Sequence, residues 1–415
     1  MNWTARIVLA AGCLVCASPA RAAPGEHIPA GDAVVTPRVS LGLEYSSNAY
    51  RSDVVDGDAG GTDVKLAPGA DVRLDRDDLD VSAAATYELR KYFAADDVPL
   101  DRYDDFSVRA DVDAWKLSLV GVQLHEAVGL ANVPVDAESE VHAYTKQFRN
   151  QTTGFLAVRP RRSLDVLAGG RYALDDYQTA GAGGSDGLGH YNTRHTYGPA
   201  GTLAWKFFPR TALALDVSWE HAVYADKVVE VEGGEDIPFA DHDMVRIVGG
   251  LRGQVTERAS VRLMGGYGSA VFDETSVGAA AEGVGADLTG LEHLLLDATL
   301  QYSLTETQGL SLSFQKNFRN SFFTNYVSYV KGSVATDARL TERIGVVGEV
   351  VVAGEAFRGT AIRNDVALGV KGDFAYYLQD WASISAGATW NHRWSSDDVI
   401  EYDEVAVRVL GNFVY

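Results

Sequence analysis

The feature that most restricts this chain is a beat of two: from Thr36 onward, apolar and polar side chains alternate one for one in segment after segment. Leu79, Val81, Ala83, Ala85, Tyr87 and Leu89 share one parity, while Asp80, Ser82, Ala84, Thr86, Glu88 and Arg90 take the other. Only an extended strand sends successive side chains to opposite faces; a helix would smear the same residues around every side. The pattern returns at Val39–Leu41–Leu43–Tyr45, Leu213–Leu215–Val217–Trp219, Leu294–Leu296–Ala298–Leu300–Tyr302 and Val366–Leu368–Val370–Phe374.

Between these runs lie short polar turns: Asp75–Asp78, Ala114–Lys116, Pro160–Arg162, Phe208–Arg210, Thr256–Arg258, Glu306–Gln308, Thr341–Arg343 and Gln379–Trp381. Pro160 and Pro209 suit turns because proline cannot donate to a ladder. A strand on each side of every turn, plus one at each terminus, predicts about 18 antiparallel strands, with Phe318 to Phe323 and Phe357 to Thr360 as weak loops. Longer Gly-rich or acidic segments separate the hairpins on the other side.

A long row of such strands must deal with its edges. Beyond the N-terminus no apolar stretch reaches the 18 or so residues of a membrane helix. Yet 42 glycines and 19 tyrosines are many for a water-soluble enzyme. A closed barrel satisfies both facts, because only alternate residues face lipid and closure leaves no unpaired edge. The expected fold class is therefore all-β: a closed antiparallel transmembrane barrel over residues 36–415, with short periplasmic turns and longer acidic external loops. Tyr45, Tyr87, Trp219, Tyr224, Tyr302, Tyr376, Trp390 and Trp394 fall near strand ends and are expected to form its aromatic girdles.

Both termini agree with export to an outer membrane. Arg6 precedes an apolar run, Ile7 to Ala17, that is too short to cross about 30 Å of hydrocarbon, and Ala20–Arg21–Ala22 supplies a small-x-small cleavage site. Residues 1–22 are thus expected to be a signal peptide and residues 23–35 a short periplasmic segment, too small for a plug domain. Leu9–Ala10–Ala11–Gly12–Cys13 approaches a lipobox, with Ala10 where a larger aliphatic residue is usual. Cys13 and Cys16 are the only cysteines; the mature chain would have no disulfide, zinc–thiolate site or cysteine nucleophile. At the other end, Val405, Val407, Val409, Gly411, Phe413 and Tyr415 share one face of a last strand ending on an aromatic. Phe413 and Tyr415 are read as the signal for the barrel-assembly machinery.

If the polar face lines the lumen, the candidates there are Glu44, Asp71, Arg73, Asp80, Glu88, Arg90, Arg109, Asp111, Asp216, Glu220, Arg252, Asp365, Lys371 and Arg408. The two signs nearly balance on the strands. The formal charge of −21 is therefore mostly a property of the loops, above all Asp53 to Asp58, Asp96 to Asp101, Asp136 to Glu140, Asp226 to Asp241 and Asp397 to Glu404. An acidic rim attracts cations or bridges to lipopolysaccharide through divalent ions, or simply keeps the rim hydrated. So acidic a chain is not expected to bind nucleic acid.

Two motifs suggest an enzyme and then fail. Gly183–Gly184–Ser185–Asp186–Gly187 spells G-x-S-x-G beside His190. That elbow needs a strand-to-helix turn, and here it lies in a Gly/Ala/Ser stretch with no helical segment after it. The nine histidines form no metal-ligand spacing, so no catalytic residue, metal or other cofactor is expected.

The opening strands resemble a family. Thr36–Pro37–Arg38–Val39 leads to Ser47–Asn48–Ala49–Tyr50–Arg51, followed by Ala67–Pro68–Gly69 and Tyr87–Glu88–Leu89–Arg90–Lys91–Tyr92. Over residues 36–110 this looks like the outer-membrane β-barrel porins associated with exopolysaccharide and capsule export, with Ser47 where that family often has Asp. The resemblance implies an outer-membrane pore, the exit for a secreted polysaccharide, with a periplasmic polysaccharide-export partner. A structural or adhesive barrel with an occluded lumen, or a barrel-based hydrolase, are the alternatives.

Overall fold

The structure is a computed structural model and describes residues 27–48, 60–94, 102–134, 144–179, 193–225, 227–229, 237–273, 290–320, 326–358, 363–396 and 401–415. The expected signal peptide, Ser185 and His190 lie outside these residues, as do most of the acidic loop residues.

Eighteen long strands build the molecule. The first six are β1 (Ala33–Ser46), β2 (Gly61–Arg76), β3 (Leu79–Ala94), β4 (Arg102–Ala114), β5 (Val120–Pro134) and β6 (Tyr144–Arg161). Next come β7 (Leu164–Thr179), β8 (Arg194–Phe208), β9 (Thr211–Tyr224), β10 (His242–Gln254), β11 (Ala259–Phe272) and β12 (Leu291–Thr305). The last six are β13 (Gln308–Asn320), β14 (Tyr326–Thr341), β15 (Ile344–Arg358), β16 (Arg363–Gln379), β17 (Ala382–Ser395) and β18 (Tyr402–Val414).

Each strand pairs antiparallel with the next, and β18 returns to β1 through Arg38↔Val414 to Ser46↔Ala406. The sheet therefore closes on itself as a barrel, as the alternation requires. A three-residue strand, Ile28–Ala30, folds back on the start of β1. All eight short turns read from the sequence join the strand pairs expected of them.

Ladder partners share a face, so the register carries one parity around the wall. Leu41, Leu213, Leu263, Leu294, Val352 and Val409 lie on one face and remain between 46% and 56% exposed. The opposite face carries the charges. Contacts that jump over a strand identify this face as concave. Arg171 of β7 reaches Glu220 of β9 at 3.3 Å, and Arg408 of β18 reaches Asp373 of β16 at 2.6 Å. Side chains converge inside a cylinder and diverge outside it, so the charged face is the inner wall and the apolar face the outer one.

Aromatics gather on the outer face in two bands. Tyr45, Tyr87, Tyr172, Tyr197, Trp219, Trp390 and Trp394 lie toward the long-loop ends, and Trp205, Phe207, Tyr302, Tyr376, Trp381 and Phe413 toward the short turns. Tyr224 is the exception to the expected girdle. It pairs with inward-facing Arg194 and is 4% exposed, packed against Phe239 and His242. Its place at the end of a strand looked interfacial, but its parity turns it inward.

Candidate functional site

The candidate site is the inner wall, because this is where the sequence spends its charged residues. Register places all fourteen predicted residues on it. Glu44 lies opposite Arg408 and Asp63; Asp71 and Arg73 lie opposite Ala84 and Ser82, in phase with Asp80, Glu88 and Arg90. Arg109 and Asp111 continue that phase on β4, Asp216, Glu220 and Arg252 on β9 and β10, and Asp365 and Lys371 on β16.

These side chains are mostly tied together. Lys65 pairs with Glu88, which also accepts from Arg90, and Arg90 lies 3.5 Å from Asp63. Glu220 bridges Arg171 and Arg246 at 3.3 and 3.4 Å. Asp373 accepts from Arg408 at 2.6 Å and faces Lys371 at 3.4 Å. Arg252 stands 3.8 Å from Asp216, which also accepts from the Thr202 hydroxyl. At the short-turn mouth Lys116 donates to Asp80 at 2.9 Å, and that carboxylate holds the Lys116 ammonium above its ordinary range. Arg109 is exposed and makes no ion pair among the described residues.

The most buried cluster centres on Asp365. Asp365, with its side chain fully buried, accepts two bonds from Arg363 at 3.0 Å, one from Arg393 at 2.8 Å and one from the Ser395 hydroxyl at 2.6 Å. Glu355 extends the chain, accepting from Arg393 at 3.2 Å and Arg319 at 3.4 Å. A second buried carboxylate, Asp175, is clamped by Arg149 at 2.6 Å and Arg194 at 2.7 Å. Arg149, Asp175 and Arg194 were missed. Asp175–Asp176 reads like the start of a loop, and β6 runs Lys146 to Thr153 with no apolar beat to reveal a face.

In the loop-side half the two signs are unevenly shared. Glu44, Asp63, Glu88, Asp105 and Glu404 outweigh Lys65, Arg90 and Arg408 on β18 and β1–β4. Arginines 149, 171, 194, 246, 319, 363 and 393, with Lys331, outweigh Asp175, Glu220, Asp297, Glu355 and Asp365 on the remaining wall. Toward the short turns the described inner wall includes two hollows. One, of about 730 Å³, includes Gln301, Ser303, Asp337, Arg339 and Tyr377. The other, of about 570 Å³, includes Arg73, Asp80, Asp111, Gln123 and His125. Among the described residues no three His, Cys, Asp or Glu side chains are grouped to hold a metal.

No protein-family model matches the chain, and no curated protein matches it either. Solved structures do align with it at low identity. The copper transporter OprC shares 12% identity at a TM-score of 0.48, with 94% of this chain and 82% of that one covered. OpdL of Pseudomonas aeruginosa shares 12% identity at 0.45, with 93% and 99% covered. The FrpB iron transporter of Neisseria meningitidis (F3-3 variant) shares 10% identity at 0.45; 86% of this chain is covered, and the chain spans only 62% of that protein.

Proposed function

We propose that this chain is an integral outer-membrane protein working as a porin-like channel, and that its cargo is a secreted polysaccharide leaving the cell. One observation carries the reading: a closed wall of 18 strands turns its apolar residues outward and most of its ion pairs inward. Such an outer face suits hydrocarbon, and barrels of this strand number leave an aqueous channel. Strands of 13 to 18 residues exceed the 9–11 or so that a tilted strand needs to cross a bilayer. The two aromatic bands suit its two interfaces.

The polysaccharide part rests on the inner wall and on the family resemblance of the opening strands. Balanced charge, with acids gathered on one side and arginines on the other, gives hydroxyl-rich chains many weak hydrogen-bonding stations without strong capture of either ion sign. Short turns would face the periplasm, where an export partner would meet the mouth near Lys116. Phe413 and Tyr415 would serve assembly; Phe413 lies on the outer face, and the Tyr415 amide donates to the Pro37 carbonyl at 2.9 Å, at the seam where the barrel closes.

Single-channel recording in planar bilayers tests the channel, with neutral oligosaccharides added to one side. Open-state current that the sugars block in a length-dependent manner is the expected result. A bilayer that stays silent after verified insertion would sink the channel reading.

A further inference from the structure

The ladder between β12 and β13, like that between β4 and β5 above Phe106↔Leu130, stops short of the long-loop ends of its strands. β12 and β13 pair from Thr305↔Gln308 up to Leu296↔Lys316, and there the pairing ends. β12 continues to Leu291 bonded only to β11, and β13 continues to Asn320 bonded only to β14. Above the last shared pair, the end of β13 leaves the cylinder and lies over its concave face.

Four contacts fix that position. The Phe318 ring covers Gly268 of β11 so closely that a Cβ there would stand 2.5 Å from it. Arg246 of β10 donates to the Phe318 carbonyl at 3.2 Å and sets its guanidinium 4.7 Å from the Phe318 ring centre. Nε2 of His242 lies 2.9 Å from Oδ1 of Asn320. Tyr326, the first residue of β14, stacks on Phe272 at 5.9 Å and 19°. From β10 to β13 is three strand spacings, about 14 Å along the wall; side chains close that distance only as a chord across the inside. Beneath the chord Met244, Leu291, Leu295 and Phe318 form a buried apolar cluster in an otherwise charged wall.

Side-chain contacts thus replace the backbone ladder that holds every neighbouring strand at this height. We infer that this inward-folded end, Asn317–Asn320 with the start of β14, is the constriction that sets the largest solute entering from the long-loop side. The inference rests on the channel reading for its purpose, but has a readout of its own.

Full-length protein with Cys13→Ala, Cys16→Ala and Gln301→Cys carries one thiol in the larger turn-side hollow, below the constriction. Thiol-reactive polyethylene glycols of graded mass, added outside intact cells, report the size limit. Unit conductance of the purified protein reports the open area. Arg246→Ala with His242→Ala releases the end, and Phe318→Ala removes the ring while keeping both anchors. Heat-shifted gel mobility confirms that each variant is folded. The expected result is a heavier labelling limit and a larger conductance in both variants than in the parent. Equal limits and equal conductance overturn the inference while leaving a working channel. A shifted labelling limit with no conductance in any form supports the constriction and sinks the channel. No labelling and no current in any form overturns both.

Discussion

Two parts of the wall, β9–β10 and β17–β18, are alike outside and unlike inside. On the outer face each carries Trp-x-His on one strand and Asp-x-Val on the other, in the same register. Trp219 and His221 oppose Val245 and Asp243, while Trp390 and His392 oppose Val405 and Asp403. Nδ1 of the histidine meets the aspartate at 2.8 Å in one and 2.7 Å in the other. In both, the tryptophan stacks on the histidine at 6.2 Å. Inside, β9–β10 presents Glu220, Arg246 and the buried Met244 beneath the folded-in end of β13. The β17–β18 pair instead presents Asn391 donating to Glu404 at 2.9 Å, and Arg393 in the Asp365 cluster. The outer face answers to a medium common to all strands, so one solution recurs. The inner face answers to the local task, so solutions differ.

The comparison breaks most visibly at Asp365. Asp365→Ala removes the one carboxylate that Arg363 contacts among the described residues and leaves Arg393 with Glu355, so a buried guanidinium keeps little beyond the Phe357 ring 4.0 Å away. Removing one partner of a buried ion pair costs about 3–5 kcal/mol. Urea unfolding of the detergent-solubilised barrel, followed by tryptophan fluorescence, should show a loss of that order. Asp403→Ala on the outer face, where the side chain is 66% exposed, should lose far less. Equal losses would mean that inside and outside are not distinct environments.

Glycine sharpens the contrast at the next level. Gly268→Ala sets a methyl group against the Phe318 ring, and overpacking of this kind costs about 1–3 kcal/mol. Because the end of β13 is held by side chains, it should yield, so this variant should also widen the labelling limit. Gly354 on β15 has nothing within 4 Å of its missing Cβ. Gly354→Ala should therefore be neutral or gain up to about 1 kcal/mol by restricting the unfolded chain. A larger loss at Gly354 than at Gly268 in the same unfolding assay would contradict the packing described.

Most of the architecture was legible because the lipid-type alternation is written in residue type. Leu79 to Leu89 states its face, and the eight turns state where the chain reverses. The inner wall was legible wherever a charge interrupts an apolar beat, as at Asp216 and Glu220. It failed where both parities are polar, as around Arg149 on β6, and where inward residues are apolar. Met244 and Phe318 carry no mark of facing a lumen, because their partners arrive from strands 72 to 74 residues away in sequence, as Arg246 and Phe318 do. Local alternation cannot report a contact made across the inside of a cylinder.

The smallest effect is the one that tests the likeness itself. His221→Ala and His392→Ala each remove a partly buried imidazole from a His–Asp pair whose aspartate is exposed, and a ring from a stack. Pairs of this kind are worth about 0–1 kcal/mol in contact with water, and aromatic contacts add a similar amount. The two sites differ in one neighbour: His392 meets Trp394 edge-on at 4.0 Å, whereas His221 meets Tyr197 at 5.6 Å. The losses should therefore be matched, with that at His392 slightly larger, and both should leave conductance and the labelling limit unchanged because neither ring faces the lumen. If His221→Ala alters the pore while His392→Ala does not, the outer wall of β9–β10 is coupled to the folded-in end through Met244 and Arg246. In that case the two walls share residue types on the outside without sharing a role.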